Sequence, residues 1–153
     1  MNSSIRLQNE FSNIQRSLEY GCYVKPRKLN FNIWDVQISK DGYFFKLTMK
    51  FPKQYPNTPP EVKFNSKMFN PNVYGDGMVC LDLIGHKWKP TLTVLDIIKG
   101  LLRLLDDPNP ESPANSRAAK LFSSKSSEYL SKVKELNNKF NSKYKIFDKL
   151  SFE

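Results

Sequence analysis

The stretch from Ser66 to Pro90 constrains this chain more than any other. It runs for about 25 residues without a sustained apolar period and holds Pro71, Gly75, Gly77, Cys80, Gly85, His86 and Trp88. Irregular segments of that length inside compact domains are usually functional. Regular elements on both sides must therefore carry the core and hold the segment in place.

Those elements are readable. Leu7, Phe11, Ile14 and Leu18 recur at helical spacing and Gly21 follows as a stop, so residues 4–20 are expected to form an amphipathic helix. A loop containing Pro26 leads into LNFNIWDVQI, whose alternation favours a strand. Lys40-Asp41-Gly42 marks a tight hairpin, and Tyr43, Phe45, Leu47, Met49 and Phe51 alternate on the return. FPKQYPNTPP is too rich in proline for helix or inner strand, and EVKFN predicts a third strand with Val62 and Phe64 on one face.

Beyond the irregular segment, Thr93 and Asp96 have the spacing of a capping box. VLDIIKGLLRLL is apolar nearly all round, which predicts a buried helix that DDPNPESP must break. Residues 115–122 predict a short helix, and Tyr129, Val133, Leu136, Phe140, Tyr144 and Phe147 keep helical spacing to near the end. An N-terminal helix, an antiparallel β-meander, a long loop and C-terminal helices make an α+β domain.

Length and charge narrow the function. The 153 residues suit a single domain, 1–153, that can bury roughly two-thirds of its unfolded surface. The net charge of +9 invites a nucleic-acid partner. Its distribution does not support one: residues 1–79 carry 11 basic and 6 acidic side chains, 80–114 carry 4 and 5, and 115–153 carry 9 and 4. There is no Arg-rich helix, zinc spacing or basic-aromatic RNA motif. A lysine-rich solvated surface, attractive to acidic protein partners, is expected instead. No apolar run approaches the ~20 residues that cross a bilayer, and MNSSIRLQNE lacks a signal peptide's apolar stretch. Two cysteines 58 positions apart form neither a disulfide framework nor a metal-ligand pattern, so no metal is expected. A reducing compartment, cytoplasmic or nuclear, follows.

Chemistry centres on Cys80. Cys22, just past the first helix, is read as a buried inert thiol. A free thiol has a pKa near 8.5, so about 3% is thiolate at pH 7 without help. A hydrolase would need a histidine base, and His86 stands in a Gly-Lys loop with no evident orienting partner. A phosphatase would need glycines and an arginine after the cysteine, where Leu81-Asp82-Leu83 stands. A thiol that receives an acyl group from another thioester needs no strong base, because that exchange is nearly thermoneutral.

YPNTPPEVKFNSKMFNPNVYGDGMVCLDLIGHKWKPTLTVLDIIKGLLRLLDDPNPESP resembles the core of ubiquitin-conjugating enzymes. The matching motifs are Tyr55-Pro56, Pro59-Pro60, Asn70-Pro71-Asn72, Cys80-Leu81, Trp88-Lys89-Pro90 and Asp107-Pro108-Asn109-Pro110. The flanking helices fit as well, so the resemblance covers nearly the whole chain. It implies that Cys80 takes ubiquitin, or a ubiquitin-like modifier, as a thioester from an activating enzyme. A lysine of a protein substrate, often brought by a RING- or HECT-type ligase, then attacks. Asn72 would steady the loop and assist the developing oxyanion. Asn70, Pro71, Tyr74, Glu111 and Ser112 would line the site. The resemblance implies no bound cofactor, with ATP consumed only by the activating enzyme.

The same carry-over places partner contacts on the first helix at Arg6 and Glu10. The loops Asn57-Thr58 and Lys89-Pro90-Thr91 would complete the ligase face. Two departures stand out. The family's histidine is Asn70, whose amide must replace its structural hydrogen bonds, and the acidic residue often found beside the site aligns with Ser112, after Glu111. These departures keep a catalytically weak adaptor of the same fold as an alternative. Ser112-Pro113 is also a phosphorylatable dipeptide, and phosphate there would restore negative charge. The hairpin at 38–43 is shorter than the family's, a change expected to spare the thiol and alter at most a partner surface.

For the modifier, Leu29-Asn30-Phe31, Trp88-Lys89-Pro90 and Ile97-Ile98-Lys99-Gly100-Leu101 resemble the neddylation branch. The helix, however, begins within about five residues of Met1, without that branch's docking extension, and Asp82 resembles the ubiquitin-carrying branch. Ubiquitin is the expected modifier, with a neddylation-type modifier as the alternative.

Overall fold

A computed structural model describes residues 3–18 and 21–141. Helix α1 (Ser3–Ile14) precedes strands β1 (Tyr23–Arg27), β2 (Asn30–Lys40), β3 (Tyr43–Lys50) and β4 (Glu61–Phe64). These pair as one antiparallel sheet in the order β1-β2-β3-β4. A single 3-10 turn (Asp82–Ile84), helices α2 (Val94–Asp106), α3 (Ser116–Ser124) and α4 (Ser126–Leu136), and a π-helical turn (Asn137–Asn141) follow. This is the expected α+β arrangement.

The period-two reading of the hairpin holds in detail. Phe45, Leu47, Met49 and Phe51 are buried, as are Val62 and Phe64 on β4. Lys40 pairs with Tyr43 across a turn in which Asp41 and Gly42 both have positive φ, 52° and 81°. That left-handed pair is the two-residue turn whose twist matches the strands, and Gly42 supplies it without steric cost.

Two expectations need correction. Pro26 lies in β1, opposite Trp34, rather than in a loop. β1 is the sheet's edge, where a residue without an N–H breaks no ladder, and the register shifts immediately after it. The first helix stops at Ile14: Arg16 N–H and Ser17 N–H bond three residues back, to Asn13 and Ile14, so the chain tightens into a turn. Leu18 still packs on the core, which is why its spacing imitates helix. At the other end α4 gives way to the π-helical turn through Phe140, and Tyr144 and Phe147 lie outside the described residues.

The main core lies between the sheet and helices α1 and α2. Leu7 and Ile14 come from α1, Trp34, Val36 and Ile38 from β2, and Val94, Ile97, Ile98 and Leu101 from α2. Thr93 and Asp96 form the expected capping box, each side chain satisfying the other's backbone N–H. A smaller cluster of Phe69, Ala118 and Tyr129 attaches α3 and α4. The irregular segment lies against the rim of the main core. Among the described residues no helix is long and apolar enough to cross a membrane.

Candidate active site

The turn before Cys80 is fastened to the sheet. Val73 bridges Val79, and Tyr74 exchanges backbone bonds with Met78 and Gly77. Gly77 has φ 96°, and a Cβ there would lie 2.1 Å from the Phe64 carbonyl oxygen. Only glycine fits that approach, which lets Phe64 N–H donate to the Gly77 carbonyl at 2.8 Å. Cys80 N–H then donates to the Asn72 carbonyl at 2.8 Å. Its side chain leaves the turn exposed, whereas Cys22 is buried.

Behind Cys80, neutral amides hold two loops together. Asn72 is 4% exposed. Its Nδ2 donates to the Asn109 carbonyl and its Oδ1 accepts from Asn109 N–H, both at 2.7 Å. Asn70, equally buried, accepts from Asn72 N–H at 2.9 Å and donates to the Leu104 carbonyl at 3.3 Å. The amide therefore makes structural bonds on both its atoms. The Pro71 carbonyl accepts from Ala114 and Asn115 N–H, anchoring the start of α3 to the same loop.

Cys80 opens into a cleft of about 510 Å³. Its lining includes Asn72, Asn109 and Ser112 as well as Leu81, Leu83, Gly100 and Arg103. Gly100 explains its place inside a helix, where glycine costs about 1 kcal/mol against alanine. A Cβ there would come within 2.8 Å of a Leu83 methyl, so its absence lets the turn after Cys80 lie close on α2. Ser112 is exposed and lines the cleft; Glu111, also exposed, is not among its lining, and Tyr74 is half-exposed outside it. His86 stands 3.9 Å from Asp82, on the surface, and is not in the cleft. Among the described residues no group of acidic, histidine and cysteine side chains could hold a metal ion.

Among the residues expected to meet partners, Glu10 needs correction. Glu10 is buried, so its carboxylate is not presented to a partner. It accepts from Val94 N–H at 2.7 Å, from Arg6 Nε at 2.9 Å and from the Tyr55 hydroxyl. Arg6 continues to the carbonyls of Pro90 and Leu92, at 2.8 and 2.7 Å. Burial and the Glu10 carboxylate push the Tyr55 hydroxyl well above its usual range. Trp88 Nε1 donates to the Pro56 carbonyl at 2.9 Å, joining the two loops. Asn57, Thr58, Lys89, Pro90 and Thr91 remain exposed around this network.

Sequence reasoning passes over Asn109, Gly100 and Tyr55. The Asp107-Pro108-Asn109-Pro110 motif marks Asn109, but spacing alone does not pair it with Asn72. A glycine within an apolar helix is the signal for a close neighbour, and a tyrosine in a proline-rich loop is the signal for a buried hydroxyl needing a partner.

Comparison with known proteins meets this geometry. The family model described as "Ubiquitin-conjugating enzyme" matches residues 6–137. Ubiquitin-conjugating enzyme E2 1 of Caenorhabditis elegans is 42% identical over 138 residues, covering 86% of this chain and 71% of the relative. Ubiquitin-conjugating enzyme E2 3 of Arabidopsis thaliana is 42% identical over 137 residues, covering 86% and 91%. A match that begins in α1, crosses the sheet and ends past α4 takes in every element that positions Cys80, and the chain belongs to the ubiquitin-conjugating enzyme family.

Proposed function

We propose that Cys80 carries ubiquitin as a thioester and passes it to a lysine of a protein substrate. The observation that carries this reading is an exposed thiol at the mouth of a cleft, on a loop held from behind by buried amides. In the first step the Cys80 sulfur attacks the carbonyl carbon of the activating enzyme's thioester. The old C–S bond breaks, the donor cysteine leaves as thiolate, and the proton lost from Cys80 returns to it or to solvent. One thioester replaces another, so little driving force is needed and access decides the rate.

The second step is harder. With a pKa near 10.4, only about one lysine in 2,500 is neutral at pH 7. Loss of solvent in the cleft disfavours the ammonium form. The neutral amine attacks the carbonyl, the amine proton is released, and the C–S bond breaks to leave an isopeptide and the Cys80 thiolate. Asn72 keeps a second hydrogen on Nδ2 beyond the one given to Asn109, and that hydrogen serves the oxyanion. Asn70 and Pro71 hold this loop. Tyr74, Glu111 and Ser112 border the path of the lysine.

The activating enzyme and a RING- or HECT-type ligase meet the face formed by Arg6, Asn57, Thr58, Lys89, Pro90 and Thr91. The protein works as a single catalytic domain in the cytoplasm or nucleus. It binds no cofactor, since ATP is used by the activating enzyme, and takes neither nucleic acid nor membrane as a partner. Ubiquitin is favoured as the modifier by the names of both relatives and by Asp82. A neddylation-type modifier is the second reading, favoured by Leu29-Asn30-Phe31, whose Leu29 is fully exposed at the β1–β2 turn.

Charging tests this directly. The protein is incubated with ATP and either pair of activating enzyme and modifier, then run on a non-reducing gel. A thiol-sensitive adduct lost in Cys80→Ala and kept in Cys22→Ala is expected with the ubiquitin pair. An adduct only with the neddylation pair reassigns the modifier; no adduct with either, from folded protein, favours the adaptor reading.

A further inference from the structure

A second, smaller cavity of about 80 Å³ shares none of its lining with the Cys80 cleft. Tyr43 and Phe45 reach it from the hairpin, Leu105 from α2, and Val133 and Leu136 from α4. Asn70 also lines it, so the cavity borders the loop that holds Asn72. Its α4 wall runs on into exposed apolar surface: Leu130 is 63% exposed, and Phe140, four residues after Leu136, is 41% exposed. Beside this wall lies Asn137, which is 1% exposed. Among the described residues, neither its Nδ2 nor its Oδ1 has a hydrogen-bond partner, and no other buried side chain is left so. Buried polar groups are normally paired, and an unpaired one costs stability.

Asn72 shows what such an amide can hold, since its Nδ2 and Oδ1 clamp the C=O and N–H of Asn109. Asn137 has the same two groups to offer a peptide unit, and it opens the π-helical turn, a geometry frequent at functional sites. The family match ends at this residue. Residues 142–153, SKYKIFDKLSFE, lie outside the described residues and carry Tyr144, Ile146, Phe147, Leu150 and Phe152. Segments that stay solvated are poor in aromatic residues, and this one is not. We propose that residues 142–153 turn back along α4, seat Phe147 in the cavity and give a peptide unit to Asn137. The reach suffices. Leu130 lies about 17 Å of helix before Asn141, and six extended residues from Asn141 to Phe147 span up to about 20 Å. Because Asn137 is closed to solvent, the π turn relaxes as the segment seats. The seated segment braces Asn70, which bonds Asn72 N–H and the Leu104 carbonyl. The docking stands by itself; the effect of this brace on transfer rests on the thioester reading above.

Hydrogen exchange on the full chain tests the docking. Backbone amides of residues 144–148 should exchange on the order of tenfold more slowly than in a free peptide of sequence 142–153, and Phe147→Asp should abolish the difference. The same change should lower the melting temperature by about 4 °C. Asn137→Leu separates a clamp from an orphan. Replacing an unpaired buried amide by an apolar side chain of similar size is neutral or stabilising. Replacing a clamp strands the peptide unit it held and should lower the melting temperature by about 2–4 °C. In the double variant the two losses should not add.

Exchange at the free peptide's rate, with a melting temperature unmoved by Phe147→Asp, overturns the docking. Exchange at that rate together with a loss on Asn137→Leu also overturns it, and assigns the amide's partner to a buried water. Protection that fades on dilution places the segment on a second copy of the chain and overturns the intramolecular contact. For the brace, lysine discharge from charged Cys80 should slow severalfold in Phe147→Asp; an unchanged rate overturns the brace. Failure of wild-type Cys80 to charge overturns the thioester reading and the brace with it, and exchange alone then decides the docking.

Discussion

Two hydrogen-bonded networks hold this molecule's working surfaces, and they are built from opposite materials. Behind Cys80, Asn70, Asn72 and the Asn109 backbone are joined by neutral amide bonds of 2.7–2.9 Å. Beneath the partner face, a buried carboxylate, a guanidinium and a phenol do the corresponding job. The difference has a physical reason. On the proposed reading the cleft accepts a charged lysine and releases its proton, so a fixed buried charge behind the sulfur would bias every step. The proposed partner face performs no chemistry and can lock α1, two loops and the start of α2 around one carboxylate. Glu10 also sits at the N-terminus of α2, where the helix dipole and an orphan N–H favour a negative charge.

Removing the charge should therefore break the partner face more severely than any single amide change breaks the site. Glu10→Ala leaves Arg6 without its acid and Val94 N–H and the Tyr55 hydroxyl without an acceptor. A loss of about 3–5 kcal/mol is expected in chemical denaturation. A loss below about 1 kcal/mol would mean that Arg6 and its two backbone carbonyls hold the loops unaided. For the amides, Asn72→Ala frees both backbone groups of Asn109. Stability should fall by about 1–3 kcal/mol, while lysine discharge falls on the order of 100-fold. Charging of Cys80 should suffer much less, because it forms the same bond it breaks. Equal losses in charging and discharge would make Asn72 a loop clamp and nothing more.

The networks also differ in their response to pH. Burial and Glu10 raise the Tyr55 hydroxyl in the folded state. A raised folded value contributes stability that is complete below the ordinary tyrosine pKa of about 10 and is lost as pH climbs through the folded value. Wild type should thus lose stability progressively above about pH 10. Tyr55→Phe should cost about 0.5–1.5 kcal/mol at neutral pH and flatten the alkaline limb of the stability curve. An alkaline limb identical to that of wild type would show that other groups control it. The amide network has nothing to titrate.

Much of this was legible in the sequence, for reasons that also mark where legibility ends. Period-two patterning identifies β3 and β4 because the apolar face of each is buried, while the other face is exposed on β4 and mixed on β3. β1 went unread because it lies at the sheet edge, where its burial is mixed and a proline is tolerated. Cys80, Asn72 and Ser112 were marked by motif and do share one cleft. The family resemblance places Glu10 among the partner contacts, which presumes an outward carboxylate. Its burial depends on Val94 and Tyr55, 84 and 45 positions away, and no local pattern encodes those partners.

The smallest expected effect bears on the same division of labour. Ser112 lines the cleft, where on the proposed reading a negative charge would meet the incoming lysine, and it is followed by Pro113 on an exposed, irregular segment. Transfer of the ATP γ-phosphoryl to its hydroxyl by a proline-directed kinase would place about −1.5 to −2 charges there. Ser112→Asp supplies roughly half of that and should raise lysine discharge severalfold at low salt, an effect on the scale of an exposed ion pair. The gain should shrink as salt rises. It should be absent with hydroxylamine, which brings no charge to attract. An unchanged rate with lysine would end the idea. A slower one would mean that the new carboxylate pairs with Lys99 or Arg103, which also line the cleft, instead of meeting the substrate. The amide frame would then serve best when the cleft it surrounds carries no added charge.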